Sequence, residues 1–238
     1  MHTRLCWNLV PMCGRYGMTN EAEEFVDAFH LGSDSPKEFK PRYDIRPTEL
    51  VPVIQNEGGE NSLRLLKWGY RPSWAKHIII NTRSENMFHS GYSKKAALHK
   101  RCIIPASFFY EWQDQNGKTV PWKIYPKDNS FFALAGIRFS QGAENSEEKM
   151  EVVSIVTMKA NSIMAKIHNR GKNPFRQPVI IQKQYWKEWL YSENKDIEYI
   201  EKSLQEYPEE EMAAVALEKT GDDKMHTGPV ELKVDNAN

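Results

Sequence analysis

Cys13 directly follows Met12 in the run Met12-Cys13-Gly14-Arg15-Tyr16-Gly17. Removal of that methionine leaves an α-amine and a thiol on one residue, a 1,2-aminothiol. Such a residue condenses with an aldehyde in two steps: the amine forms a Schiff base, and the sulfur then closes a five-membered thiazolidine ring. Ring closure is intramolecular, where effective concentrations reach about 10⁵ M in well-oriented cases, so the product is long-lived. An internal cysteine has no free amine and cannot form this ring. On residue type alone, a cysteine is more often a small buried hydrophobe. Two neighbours favour chemistry: Gly14 lets other backbone approach closely, and Arg15 lowers a nearby amine and thiol from reference pKa values of about 8 and 8.5.

Three further segments place reactive groups near element ends. Asn81-Thr82-Arg83-Ser84-Glu85 follows the apolar run Ile78-Ile79-Ile80, so its polar side chains emerge where a strand finishes. Glu111 lies among aromatics in Phe108-Phe109-Tyr110-Glu111-Trp112. A carboxylate in apolar surroundings has a raised pKa, which suits proton transfer near neutrality; the plain alternative is an outward strand residue. His168 in Ile167-His168-Asn169-Arg170 follows a predicted helix and is placed to donate or accept a proton, although a satisfied surface or core histidine is the commoner case. A second chemistry stays open on the same residues: Cys13, His168 and Asn81 as thiolate, base and orienting group of a cysteine hydrolase that cuts the Met12-Cys13 bond. A third is a non-catalytic reader of DNA.

These groups need a scaffold. Asn20 with Glu23 three residues on predicts a helix N-terminus; Phe25, Val26 and Phe29 share its apolar face, and Gly32 ends it. A proline-restricted loop is expected over Pro36 to Pro47. Leu50 to Gln55 and Leu63 to Trp68 flank Gly58-Gly59 and read as a β-hairpin. Further strands are expected at 78–80, 102–112, 120–125, 131–139, 152–157 and 178–181, with a turn at Asn116-Gly117. Helices are expected at 162–167 and 184–191, the second burying Trp186, Trp189 and Leu190. Many strands, few helices and no βαβ rhythm predict an α+β fold: a mostly antiparallel, barrel-like β-sheet with a few peripheral helices.

Composition narrows the function classes. The 238 residues suit one β-rich domain. We expect a single domain over 12–225, an extension outside the fold at 1–11 with Met12 as the true start, and a tail at 226–238. No apolar run is long enough to cross a bilayer, and residues 1–11 lack a signal-peptide core, so no membrane partner and a cytoplasmic location (nucleoid-associated, if the source is bacterial) are expected. Cys6, Cys13 and Cys102 have no C-x-x-C spacing, so neither a disulfide framework nor a metal site is expected. Formal net charge is zero, but its distribution is uneven. From Arg64 to Ser107 nine Lys/Arg stand against Glu85 alone, whereas Glu193 to Asp223 carries eleven acids against three lysines. Binding responds to the local field rather than to the sum, so the basic middle points to an anionic partner.

The ordered set M-C-G-R-Y, R-Y-D-I-R-P-T, W-G-Y-R-P-S-W, N-T-R-S-E, C-I-I-P-A-S-F-F-Y-E-W and I-H-N-R followed by P-V-I-I resembles the SOS-response-associated peptidase (SRAP) family from Met12 to about Leu190. Members shield abasic sites in single-stranded DNA by covalent crosslinking. The resemblance implies that Cys13 attacks C1′ of the ring-opened sugar, Asn81 orients its amine, Glu111 shuttles protons, and His168 assists sugar opening. It assigns Arg15 and Arg83 to phosphates, with Pro47, Trp74 and Thr157 lining the strand; Tyr16, Arg42, Tyr43 and Trp68 read as scaffold. It implies no cofactor and no metal, abasic single-stranded DNA as partner, a monomer, and possible lyase or peptidase activity. Three features depart from the pattern. Residues 1–11 would block the amine, Asp44 stands where asparagine is common, and Gly171 to Gln177 is longer than the usual compact turn.

Overall fold

The computed structural model describes residues 13–32, 40–142, 150–191 and 193–217. The expected extension 1–11 with Cys6, the expected start Met12, residues 36–39 of the expected loop, and the expected tail lie outside the described residues.

In chain order the elements are β1 (Tyr16–Met18), α1 (Ala22–Phe29), β2 (Arg42–Ile45), β3 (Leu50–Glu57), β4 (Glu60–Trp68), β5 (Asn81–Arg83), α2 (Ser84–Met87), α3 (Lys94–His99), β6 (Arg101–Ala106), β7 (Phe108–Gln115), β8 (Lys118–Pro126), β9 (Phe132–Gln141), β10 (Met150–Lys159), α4 (Ser162–Ile167), β11 (Arg176–Pro178), α5 (Trp186–Leu190), α6 (Ile197–Glu201) and β12 (Met212–Ala216). The strands β10, β4, β3, β6 and β9 pair in that order, and β9 pairs back onto β10, which closes a five-strand barrel. All of its pairings are antiparallel except β4 with β10. A second sheet runs β12-β8-β7-β1-β2. The α+β architecture therefore matches the sequence expectation, with the parallel β4–β10 and β5–β10 pairings as its exceptions.

The apolar residues explain the layering. Val51, Val53, Ile54, Ile103, Ile104, Ile137, Val152 and Ile155 are fully or almost fully buried in one continuous core. Strands covered on both faces read as near-continuous apolar runs, as these do. Gly58 and Gly59 both adopt positive φ, 61° and 89°, the backbone a two-residue hairpin needs to follow strand twist. Asn116 and Gly117 do the same between β7 and β8.

Several boundaries differ from expectation. The run 102–112 is two strands, because the chain turns at Ser107 from the barrel into the second sheet. Ser107 Oγ accepts the Thr19 N–H at 2.7 Å and donates to Asn20 Oδ1 at 2.5 Å. With its side chain so engaged, Asn20 does not cap α1; Glu21 does, its N–H donating to Glu24 Oε1 at 3.0 Å. The helix ends at His30 (φ 50°) rather than at Gly32. The strand expected at 78–80 is a single bridge, Tyr70 to Ile79, and the ladder begins at Asn81. The expected 36–47 loop contains β2, paired to β1. The second predicted helix opens with a 3₁₀ turn at Lys183–Tyr185 before α5.

Past Leu190, where the sequence pattern is weakest, a buried arginine organises the chain. Arg101 donates from Nε to Trp189 O, from Nη1 to Ala97 O and Leu98 O, and from Nη2 to Tyr191 O and Asn194 O, all at 2.7–3.0 Å. Five carbonyls at element ends are thereby satisfied by one guanidinium, the fork geometry that only arginine supplies.

Candidate active site

Cys13 reaches the site through the β1–β7 ladder. Tyr16 is opposite Phe109, Gly17 is opposite Phe108, and the Tyr110 N–H donates to Arg15 O at 3.0 Å. Continued in this register, Gly14 falls opposite Glu111, which leaves the neighbouring Cys13 N–H within reach of the Glu111 carboxyl. Gly17 is required there, since a Cβ would lie 2.1 Å from the Phe108 ring. Alternation along β7 sends Phe108, Tyr110 and Trp112 into a small aromatic cluster on one face. Phe109 and Glu111 take the other face, toward the main core. Glu111 is thus an inward residue, 2% exposed, not an outward one.

The Cys13 backbone N–H donates to Glu111 Oε1 at 2.6 Å. Cys13 holds φ 49°, a left-handed backbone uncommon outside glycine, and is 4% exposed. Burial pushes the Glu111 carboxyl up to about 7, against the opposing hydrogen bonds from Cys13 and from the Trp112 backbone. Burial, followed by the Glu111 charge, raises the Cys13 thiol well above its ordinary value, while the Arg176 guanidinium pulls it down. The thiol is therefore held protonated beside an acid whose proton is exchangeable at neutral pH.

His168 terminates α4, which Asn161 caps by accepting the Met164 N–H at 2.9 Å. Its Nδ1 accepts the Arg176 N–H at 3.3 Å, so in the neutral ring the hydrogen sits on Nε2. Nε2 faces Glu111 Oε2 at 3.9 Å, beyond direct hydrogen-bond length. Burial lowers the His168 pKa, and the Arg176 charge adds to this. Cys13, Glu111 and His168 consequently form one buried cluster.

The other expected residues lie around it. In the parallel β5–β10 register Asn81 is opposite Ile155 and Arg83 is opposite Thr157. Asn81 is half-buried and Arg83 exposed. An open cleft of about 470 Å³ is lined by Asn81, Arg83, Asn86, His89, Ser90 and Tyr92 among others. Trp74, 62% exposed, meets the Tyr92 ring edge-on at 5.5 Å. Pro47 is half-buried in a turn, whereas Thr157 is fully buried. Arg15 binds Asp44 through Nε at 2.7 Å and lies 5.8 Å from the Trp112 ring, while its Nη2 is buried without a hydrogen-bond partner. Asp44 is buried enough to raise its pKa, yet bonds from Arg15 and Arg46 outweigh this and lower it, so the acid at this position holds two arginines. Tyr16 and Trp68 are buried core, as expected of scaffold.

Sequence reading overlooked Arg176. Its guanidinium forms a bidentate pair with Glu85 at 2.8 Å on both oxygens, and Nη2 also donates to Thr157 O at 2.8 Å. It links α2, β10 and the His168 ring, and its charge acts on the Cys13 thiol. Arg176 stands before the apolar run 178–181, at a strand start, whereas Asn81 and Arg83 were singled out for following a run; no local pattern marked it. Among the described residues no group of three His, Cys, Asp or Glu side chains is arranged to hold a metal ion, and no helix is long and apolar enough to cross a membrane.

Comparison with known proteins supplies a second line of observation. Residues 12–220 match the family model described as SOS response associated peptidase (SRAP). The chain is 34% identical over 210 residues to the abasic site processing protein YoqW of Bacillus subtilis, covering 85% of this chain and 91% of that protein. It is 29% identical over 187 residues to the abasic site processing protein YedK of Escherichia coli, covering 76% and 81%. A crystal structure of a protein from Bacteroides thetaiotaomicron superposes with a TM-score of 0.75 at 24% identity, covering 87% of this chain and 92% of that one. That likeness speaks to the fold.

Proposed function

The chain belongs to the SOS-response-associated peptidase family, and from that premise we propose that it processes abasic sites in single-stranded DNA by forming a thiazolidine crosslink at Cys13 once Met12 is removed. The observation that carries this reading is the 2.6 Å contact between the Cys13 nitrogen and Glu111 Oε1. The nitrogen that becomes the α-amine is already seated on a buried carboxyl with a pKa near 7. The relatives at 29–34% identity are named for abasic site processing.

The steps balance without an added reagent. The amine attacks the aldehyde carbon C1′ of the opened sugar, and Glu111 takes a proton from nitrogen. The protonated carboxyl returns it to the alkoxide oxygen to give the neutral carbinolamine; a second proton, taken up by Glu111 from solvent, then goes to the hydroxyl, which leaves as water and yields the iminium ion. Sγ adds to the same carbon, its proton is relayed through Glu111, and the ring closes. A group with a pKa near the working pH serves both directions of transfer. His168, whose Nε2–H faces Glu111, donates to the sugar ring oxygen or to the carboxylate. Asn81 orients the amine, and Arg15 and Arg83 hold phosphates through charge-assisted bonds.

The alternative, a thiol peptidase, requires a thiolate-imidazolium pair. Its support is weaker: burial and Glu111 both keep the Cys13 sulfur protonated, and His168 faces Glu111. One experiment tests the proposal. The chain beginning at Cys13 is incubated with an abasic single-stranded oligonucleotide and run on a denaturing gel. A shifted band is expected, and none for Cys13→Ser or for the chain that retains Met12. Equal crosslinking by Cys13→Ser refutes the mechanism.

A further inference from the structure

The segment between α4 and β11 contains an exposed aromatic held in an unfavourable backbone. Phe175 is 50% exposed and adopts φ 61°, a region that bulky side chains rarely enter. Two hydrogen bonds keep it there: its N–H donates to His168 O at 2.8 Å, and its carbonyl accepts the Ala160 N–H at 2.9 Å. A glycine would occupy this backbone without strain, yet the position carries a ring on which no other aromatic ring stacks among the described residues. Strained residues of this kind concentrate where ligands are clamped.

Its neighbours define the ligand. Arg176, the next residue, bonds the His168 ring through its N–H. Two residues earlier, Asn173 Oδ1 accepts a hydrogen bond from Arg83 Nη2. Lys172 is exposed beside it. Arg83 lines a cleft together with Tyr92, and Trp74 packs edge-on against Tyr92. Phe175 and Trp74 are thus two exposed aromatics that each neighbour a partner of Arg83: Phe175 lies two residues from Asn173, which Arg83 bonds, and Trp74 meets Tyr92, which lines the cleft together with Arg83. A strand whose abasic sugar lies at Cys13 has lost one base from its stack, so each flanking base presents a face without a partner.

We propose that Phe175 is a stacking platform for a nucleobase flanking the abasic site, with Trp74 as a second exposed aromatic near Arg83. This rests on the DNA-binding part of the proposed function and names a specificity-determining residue of that site. Stacking on an aromatic ring tolerates every base, since each has a π-face, and purines present the larger one.

The test separates stacking from structure and from crosslinking. Binding of a single-stranded oligonucleotide carrying a tetrahydrofuran abasic analogue, which cannot crosslink, is followed by fluorescence anisotropy. One oligonucleotide has adenine on both sides of the lesion; a second has tetrahydrofuran there as well. Phe175→Gly and Phe175→Leu are expected to weaken binding to the first about ten-fold and to leave the second unchanged, with Phe175→Trp retaining wild-type affinity. Phe175→Gly should melt no lower than wild type, because glycine relieves the positive φ. Equal affinities of wild type and Phe175→Gly for the adenine-flanked strand overturn the proposal, as does an equal loss on both strands. If wild type shows the base-dependent effect yet never crosslinks a true abasic site, the covalent mechanism falls and the platform stands.

Discussion

Replacing Glu111 by glutamine in the chain that retains Met12 isolates the energetic consequence of burying an acid beside Cys13. Glutamine keeps an oxygen to accept the 2.6 Å bond from the Cys13 N–H but carries no ionisable proton. In the folded protein Glu111 titrates at about 7 against an ordinary 4.5, with burial as the cause. Below pH 4.5 the acid is neutral in both states and imposes no penalty. As pH rises from 4.5, the unfolded chain ionises first and stability is lost, until the folded acid also ionises near pH 7. Integrated across that window the loss is about 3 kcal/mol. Urea unfolding measured from pH 4.5 to 8 should therefore show the wild type losing stability relative to Glu111→Gln, with the gap saturating above pH 7. With a urea dependence of 2–3 kcal/mol per M, typical for a chain of this size, the midpoints should part by about 1 M. His168 is present in both proteins and largely cancels in the difference. Parallel curves, or a glutamine variant less stable at pH 8, would refute the claim that Glu111 is a desolvated acid.

Other substitutions probe the scaffold. Arg101→Leu strands five carbonyls at element ends and should cost about 3–5 kcal/mol in urea unfolding, with Arg101→Lys recovering only part because a single ammonium cannot span the fork. Gly17→Ala places a methyl 2.1 Å from the Phe108 ring and should destabilise by about 1–3 kcal/mol; Phe108→Leu in the same chain should restore part of the loss, which a thermal-melt double-mutant cycle measures. Glu85→Gln weakens the bidentate pair with Arg176. The Glu85 carboxyl is partly buried, which raises its pKa, but the Arg176 bonds prevail and lower it below 4.5. Its contribution is therefore present above pH 4.5 and lost as pH falls further. Because Glu85 is nearly half exposed, the cost at pH 7 should be no more than about 1 kcal/mol. Proton-linked unfolding below pH 4.5 checks it.

What the sequence disclosed depended on whether the determining interaction was local. The Gly58-Gly59 hairpin and α4 are specified by adjacent residues and were legible. For Glu111 the sequence left an apolar and an outward setting open; the burial comes from the main core, because the flanking aromatics face the other side of β7. The turn at Ser107 was not, because it is set by a hydroxyl bonding Thr19 and Asn20 nearly ninety residues away in sequence. The same bond displaced the expected cap of α1. Arg176 escaped for a related reason: its partners Glu85, Thr157 and His168 come from three separate elements, and no spacing rule joins them. Just beyond Leu190, Tyr191 and Asn194 are held by Arg101, whose role emerges only when its distant carbonyl partners are seen together.

The ten residues of β10 take neighbours on both edges along their length: β9 and β11 on one, β4 and β5 on the other. The same backbone is therefore a stave of the barrel and the shelf on which Asn81, Arg83, Thr157 and Arg176 are set. Slipping this strand by one place would unseal the barrel and scatter those groups in a single event. Their alignment thus inherits the rigidity of the entire core. Residues 169–175, by contrast, lie outside every ladder, so a change there leaves the staves themselves paired.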